Sequence, residues 1–216
     1  MTSAIRADSE PREDHGARRP FVSGLVLAAG GSRRLGQPKQ LLPYGAGTLL
    51  DHVLATARQC PFDQSLCVLG GGASDVRESV ELDGFTVIEN HQFGEGCSSS
   101  IAAALSAVDQ RADVLVLMLG DQPGVRASTV AALLAGRGNA ALAACAYADG
   151  PGHPLAFARS TFAELDELHG DKGVWKLLDR RAAEVVDVPV DGQIPRDVDT
   201  WEDYEAVLSR QRGERS

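Results

Sequence analysis

Apolar positions in this chain gather into short runs separated by polar and small residues. Val22, Leu25, Val26 and Leu27 make one such run, and VLVLML at 114–119 makes another. A run without polar alternation is what a strand covered on both faces of a parallel sheet requires, so both predict central strands. Residues 66–69 and 86–88 read as further strands. Leu50, Val53, Leu54 and Ala57 recur at helical spacing behind Thr48 and Asp51, which have the spacing of a capping box. A second helix is predicted over 99–108, and Thr200 with Asp203 opens a last one. This alternation predicts an α/β protein with a mostly parallel sheet and helices on both of its faces.

The chemistry gathers where the first central strand ends. Ala28, Ala29, Gly30 and Gly31 have little or no side chain, so a ligand can approach the main chain and its N–H groups can face anionic oxygens. Arg34 and Lys39 follow, with Arg33 between them and the glycines. Arginine offers a planar fork matched to phosphate and lysine a compact point charge. A P-loop is excluded, because Gly36 is followed by Gln37 and Pro38 before Lys39. A dinucleotide fingerprint is also absent. Gly94, Gly96 and Ser99 nearly spell one, but no strand-like run leads into them.

Leu27, Ala28, Ala29, Gly30, Ser32, Arg34, Gly36 and Lys39 together resemble the LAAGxSxRMGxxK signature of the MobA-like nucleotidyltransferases, with Leu35 where methionine is usual. Within that superfamily the chain is most similar to the molybdenum cofactor cytidylyltransferases over residues 21–208. The similarity is carried in order by LAAGGSRRLGQPK, GEGCSSSI, LGDQP at 119–123, GHPLAF at 152–157, GDKG at 170–173 and DVDTWEDY at 197–204.

The resemblance implies a Rossmann-like, three-layer αβα nucleotidyltransferase fold and transfer of CMP from CTP to a phosphorylated, molybdopterin-type acceptor. It assigns the nucleotide to Leu27, Ala28, Ala29, Gly30, Gly31, Ser32, Arg33, Arg34, Lys39 and Gly120, with Lys39, Arg34 and Asp121 catalytic. Mg2+ falls to Asp121 and Asp199, with Asp197 close behind. The acceptor falls to Ser98, Ser99, Ser100, Gly152, His153, Pro154, Gly170, Asp171, Lys172 and Gly173. A molybdenum enzyme receiving the cofactor is an implied partner. The pattern departs at the acceptor. GNP is common in the family where this chain has Gly152, His153 and Pro154, and an arginine where it has Val174 and Trp175. The imidazole and indole either stack on a flat ring or pack against the fold. Taken alone, Asp121 to Gly124 read as an ordinary turn, and the DVDT acids as helix N-terminal chemistry.

Composition narrows the field. A chain of 216 residues with 44% hydrophobic content can build one substantial core. A net charge of −9 speaks against nucleic acid or an anionic membrane as partner, so an anionic substrate needs a local basic patch, for which Arg33, Arg34 and Lys39 are the candidates. Cys60, Cys67, Cys97 and Cys145 show neither CxxC spacing nor a zinc-finger interval, and reduced thiols in the cytoplasm are expected. His52, His91 and His169 read as surface or packing residues. Residues 1–20 lack the apolar centre of a secretion signal and read as a disordered extension, and 209–216 as a charged tail. Two other functions fit the same scaffold. One is a nicotinamide-dependent oxidoreductase of a quinone-like pigment, which the missing fingerprint disfavours. The other is a chaperone for the molybdenum cofactor, which has no need of a metal site.

Overall fold

The computed structural model describes residues 18–213. Strand β1 (Val22–Ala28) leads through the glycine loop and a short hairpin, β2 (Pro43–Tyr44) and β3 (Gly47–Thr48), into α1 (Leu49–Arg58). Then come β4 (Gln64–Leu69), α2 (Ala73–Ser79), β5 (Thr86–Glu89), α3 (Cys97–Leu105) and β6 (Val114–Leu119). The second half runs α4 (Ala127–Arg137), β7 (Leu142–Tyr147), β8 (Gly150–Ala158), α5 (Phe162–Asp166), α6 (Gly173–Arg180), β9 (Val185–Pro189) and α7 (Trp201–Gly213).

Seven strands form one sheet in the order β5-β4-β1-β6-β8-β7-β9. Only β8 runs against the rest, antiparallel to both β6 and β7. Strand β1 pairs in parallel with β4 on one side and β6 on the other, and all its residues are buried. Its period-2 alternation divides the core. Val22, Val26 and Ala28 pack with Leu50, Val53 and Leu54 of α1 and Val130 and Leu133 of α4. Leu25 and Leu27 face the other way, onto Ile101 of α3 and Leu177 of α6. The mostly parallel, three-layer α/β expectation therefore holds.

A smaller apolar cluster positions the site. Tyr204 and Val207 of α7 pack on Leu35, Leu42, Tyr44 and Leu49, and Val198 fills the same cluster. The Tyr204 hydroxyl donates to the Pro43 carbonyl at 2.5 Å. The end of the chain is thereby docked on the loop that follows β1, although 160 residues separate Lys39 from Asp199.

Boundaries differ in three places. Helix α3 begins at Cys97, two positions before the expected start, because Gly96 at φ 101° ends the preceding turn. Arg18 and Arg19, assigned by sequence to the N-terminal extension, pair with Asp113 and Asp63 beside β1. Positions 209–213, assigned to the tail, continue α7. The rest of the expected extension and tail, 1–17 and 214–216, lies outside the described residues. No helix among the described residues is long and apolar enough to cross a membrane.

Candidate active site

Strands β1 and β6 are neighbours, so their C-terminal ends bring the glycine loop beside Gly120 and Asp121. Gly120 donates its N–H to the Leu27 carbonyl at 2.8 Å. A Cβ there would lie 2.9 Å from that of Ala28, so only glycine lets the two strand ends close up. Beyond Gly31 the chain turns at Ser32, whose φ is 48°. Its Oγ accepts the Lys39 N–H at 2.8 Å. Beneath the loop, buried Gln40 donates Nε2 to the carbonyls of Ala28 at 2.6 Å and Gly30 at 3.2 Å, pinning the glycine backbone from below.

Lys39 is the centre of the arrangement. Its Nζ donates to Asp121 Oδ2 and, at 2.7 Å, to Asp199 Oδ1. Burial opposes the ammonium charge, but the two carboxylates more than reverse this, and the Lys39 pKa stands above the ordinary lysine value. Val198 N–H donates to the Asp121 carbonyl at 3.2 Å. Gln122, also buried, donates Nε2 to Pro195 O at 3.0 Å and Asp197 Oδ1 at 2.6 Å. The residue after Asp121 thus fastens the segment that carries Asp197 and Asp199.

These groups line a cavity of about 580 Å³. Of the residues assigned to the nucleotide, Leu27, Ala28, Ala29, Gly30 and Gly31 lie in its wall, with Arg33, Lys39 and Gly120. Ser32 and Arg34 do not. Arg33 and Arg34 are both exposed, and it is Arg33, not the Arg34 favoured by motif, that lies in the wall. Leu35, which follows them, is buried in the cluster under α7. All three aspartates named for metal are in the wall, but only Asp121 and Asp199 converge on one point. Among the described residues, no group of three or more His, Cys, Asp or Glu side chains is disposed to hold a metal ion.

The residues assigned to the acceptor divide by role. Ser100, Gly152, His153 and Asp171 lie in the wall. Ser98, Ser99, Pro154, Gly170, Lys172 and Gly173 do not, and several of them hold the wall together. Ser98 Oγ donates to Gly170 O at 2.6 Å, and Asp171 Oδ1 accepts the Cys97 N–H at 3.2 Å. Asn90 Nδ2 donates to Ser99 Oγ at 2.9 Å and Ser100 Oγ at 3.0 Å. A Cβ on Gly96 would come within 2.7 Å of the backbone of Gly170 and Asp171. The GEGCSSS and GDKG segments therefore read together as one packed junction.

Of the two roles left open for His153 and Trp175, packing is the one the fold displays. They pack edge to face, centroids 5.5 Å apart and planes at 86°, and both line the cavity. Burial pushes the His153 pKa down to about 4, so the ring is neutral at neutral pH and a weak base. Burial, with Asp171 and Asp121 adding to it, pushes the Cys97 thiol up to about 11 and leaves it unreactive. For Asp197, enclosure of the carboxyl and then the charge of Asp121 push the pKa up to about 6, against the Gln122 hydrogen bond.

Phe93, Gln40 and Cys97 also belong to the wall and were not singled out for it by sequence. Phe93 is a lone aromatic beside the failed glycine fingerprint, and Gln40 carries no signal beyond following Lys39. The charge balance is the larger surprise. Two cations, Arg33 and Lys39, face four carboxylates, Asp121, Asp171, Asp197 and Asp199. The loop expected to be a basic patch opens into an acidic cavity.

Residues 24–185 match the family model described as the MobA-like NTP transferase domain. Among curated proteins, nicotine blue oxidoreductase of Paenarthrobacter nicotinovorans is 32% identical over 200 residues, covering 88% of this chain and 97% of that protein. Among solved structures, the Mycobacterium sp. strain JC1 homologue of Mycobacterium tuberculosis Rv0371c is 53% identical, with a TM-score of 0.84 over 89% of this chain and 98% of its own. Rv0371c from M. tuberculosis H37Rv in complex with manganese is 46% identical, with a TM-score of 0.78 over 88% and 98%.

Proposed function

The chain belongs to the MobA-like NTP transferase family, and from that premise we propose that it transfers CMP from CTP to the terminal phosphate of a molybdopterin-type acceptor. An acceptor phosphate oxygen attacks the α-phosphorus and forms a new P–O bond. The bond from that phosphorus to the β-phosphate oxygen breaks, and pyrophosphate leaves. Such chemistry needs alignment and charge neutralisation rather than a covalent protein intermediate. The observation that carries the reading is the meeting of Lys39 with Asp121 and Asp199 at the ends of neighbouring parallel strands, where ligands of open α/β sheets bind.

The donor set fits a divalent cation. Two carboxylates converge on one cation position, and magnesium takes one or two carboxylates together with phosphate oxygens and waters. Asp121 and Asp199 would hold Mg2+, which supplies charge neutralisation on the phosphate oxygens when bound. That Rv0371c is known in complex with manganese supports divalent metal use among its relatives. Lys39, released from its carboxylates, faces the triphosphate and stabilises the departing pyrophosphate. Gly30 and Gly31 let the phosphates reach the main chain, and Arg33 supplies the second cation. CTP rests on the resemblance of LAAGG to the cytidylyltransferases, and the acceptor on the GHP and GDKG motifs, of which Gly152, His153 and Asp171 lie in the cavity wall.

A second reading, reduction of a conjugated pigment by a nicotinamide cofactor, is favoured by the relative named an oxidoreductase and by the wall of Phe93, Trp175 and neutral His153. A thermal-shift panel of CTP, GTP and NADPH, each with and without Mg2+, separates the two. A ligand at about 100 times its Kd stabilises by roughly 2.7 kcal/mol. The transferase predicts stabilisation by CTP that needs Mg2+ and vanishes in Asp121→Asn, followed by pyrophosphate release when extracted cofactor is added. Stabilisation by NADPH alone, indifferent to Mg2+ and to that substitution, would replace it with the oxidoreductase.

A further inference from the structure

A second cavity, of about 550 Å³, lies between α1, the start of α4, the segment after β9 and α7. It is nearly as large as the first and has the opposite charge. Its charged lining residues are Arg126, Arg196 and Arg210 against one carboxylate, Asp191. In a chain of net charge −9, this concentration of arginine is unusual. Of these, Arg196 donates to Asp203 Oδ1 at 3.1 Å.

The wall beside Arg126 is built for an anion. Helix α4, 11 residues long, starts there with no side-chain cap and no acidic residue in its first turn. Its positive end is therefore uncompensated. Arg126 forms no ion pair among the described residues, and its charge reaches Tyr147 across the cavity, where it lowers that hydroxyl's pKa against the burial that raises it. Thr129, in the same first turn, supplies an independent observation. It is only 7% exposed and lines the cavity, yet its hydroxyl has no hydrogen-bond partner among the described residues. Facing the cavity, that hydroxyl is free to donate to a ligand oxygen.

We propose that this second cavity binds a small phosphomonoester, its phosphate seated on the N-terminus of α4 between Arg126 and the Thr129 hydroxyl. A dianionic phosphate matches a helix N-terminus and an arginine fork together, whereas the cavity volume exceeds what bare phosphate fills. The site shares walls with the first cavity. Asp121 and Gln122 face one side and Pro123 to Arg126 the other; Asp197 and Asp199 line the first cavity, Pro195 and Arg196 the second.

Isothermal titration of the full chain in EDTA, with ribose 5-phosphate and with inorganic phosphate as probes, tests the proposal. EDTA keeps both probes from being recruited by metal at the acidic cavity. Ribose 5-phosphate is expected to bind about tenfold tighter than phosphate. Its affinity should fall at least tenfold in Arg126→Ala and severalfold in Thr129→Val, and be unchanged in Lys39→Met. Arg126 is exposed, so its variant tests the site without disturbing the core. No binding, binding indifferent to Arg126, or binding lost in Lys39→Met would each overturn the proposal. Equal affinity for the two probes would overturn the phosphomonoester assignment.

Discussion

A histidine in a nucleotide-sized cavity invites a role as general base, and burial argues against it at His153. The ring makes an edge contact with Trp175 and no hydrogen bond to a described carboxylate, so nothing compensates the imidazolium. Its pKa of about 4 in the fold against 6.5 in the unfolded chain has a consequence for stability. Above pH 6.5 both states are neutral and the full stability is present. As the pH falls through that window toward 4, the unfolded chain takes up a proton that the folded one refuses, and stability declines by on the order of 3 kcal/mol. Urea midpoints measured from pH 7.5 to 4 should therefore fall less steeply in His153→Phe than in the wild type. Parallel curves would mean that His153 is solvated or paired in solution. The same scale shows what sequence could not read. Arg33 and Arg34 are chemically identical neighbours, both exposed, and nothing in their spacing tells which of them borders the cavity.

Helix α7 bears on the site through its first turn. Thr200 Oγ1 accepts the Asp203 N–H at 3.2 Å, while Asp203 Oδ2 accepts from the Thr200 N–H at 3.0 Å and the Asp199 N–H at 3.4 Å. A capping interaction of this kind is worth about 1 kcal/mol. Here it also fixes the backbone that presents Asp199 to Lys39. Asp203→Ala should lower Tm by about 2–4 °C and weaken Mg2+-dependent CTP binding severalfold. Ser209→Ala, which removes only a back-bond to Glu205 O on the same helix, should do neither. If Asp203→Ala lost stability but kept full nucleotide affinity, the cap would be structural alone. The two caps were legible because Thr and Asp three apart name their own geometry, as at Thr48 and Asp51. Strands β1 and β6 were legible because burial on both faces demands an unbroken apolar run. Strand β8 was not, since Gly150, Pro151, Gly152 and Pro154 interrupt its pattern, and β9 was not, because at the sheet edge it alternates with Asp187 and Pro189. Nor could spacing place GEGCSSS against GDKG, a contact between segments more than 70 residues apart.

Across the whole molecule, charge sets the order of events. An acidic chain places four carboxylates and two cations around the larger cavity, so a triphosphate meets net repulsion there until a cation joins it. Lys39 Nζ meanwhile sits where Asp121 and Asp199 converge and serves as their counter-ion. These facts give Lys39 two effects of opposite sign. Lys39→Met removes the competitor for the carboxylates and should tighten binding of free Mn2+, followed by electron paramagnetic resonance without nucleotide, by about tenfold, equivalent to ~1.4 kcal/mol. It also removes a cation from the phosphates and should weaken CTP binding in saturating Mg2+. A buried ammonium that merely held the fold together would move both affinities in the same direction, downward with stability. Opposite movement would mark Lys39 as the residue that exchanges the carboxylates for the phosphates, which the neutral His153 and the protonated Cys97 in the same wall lack the charge to do.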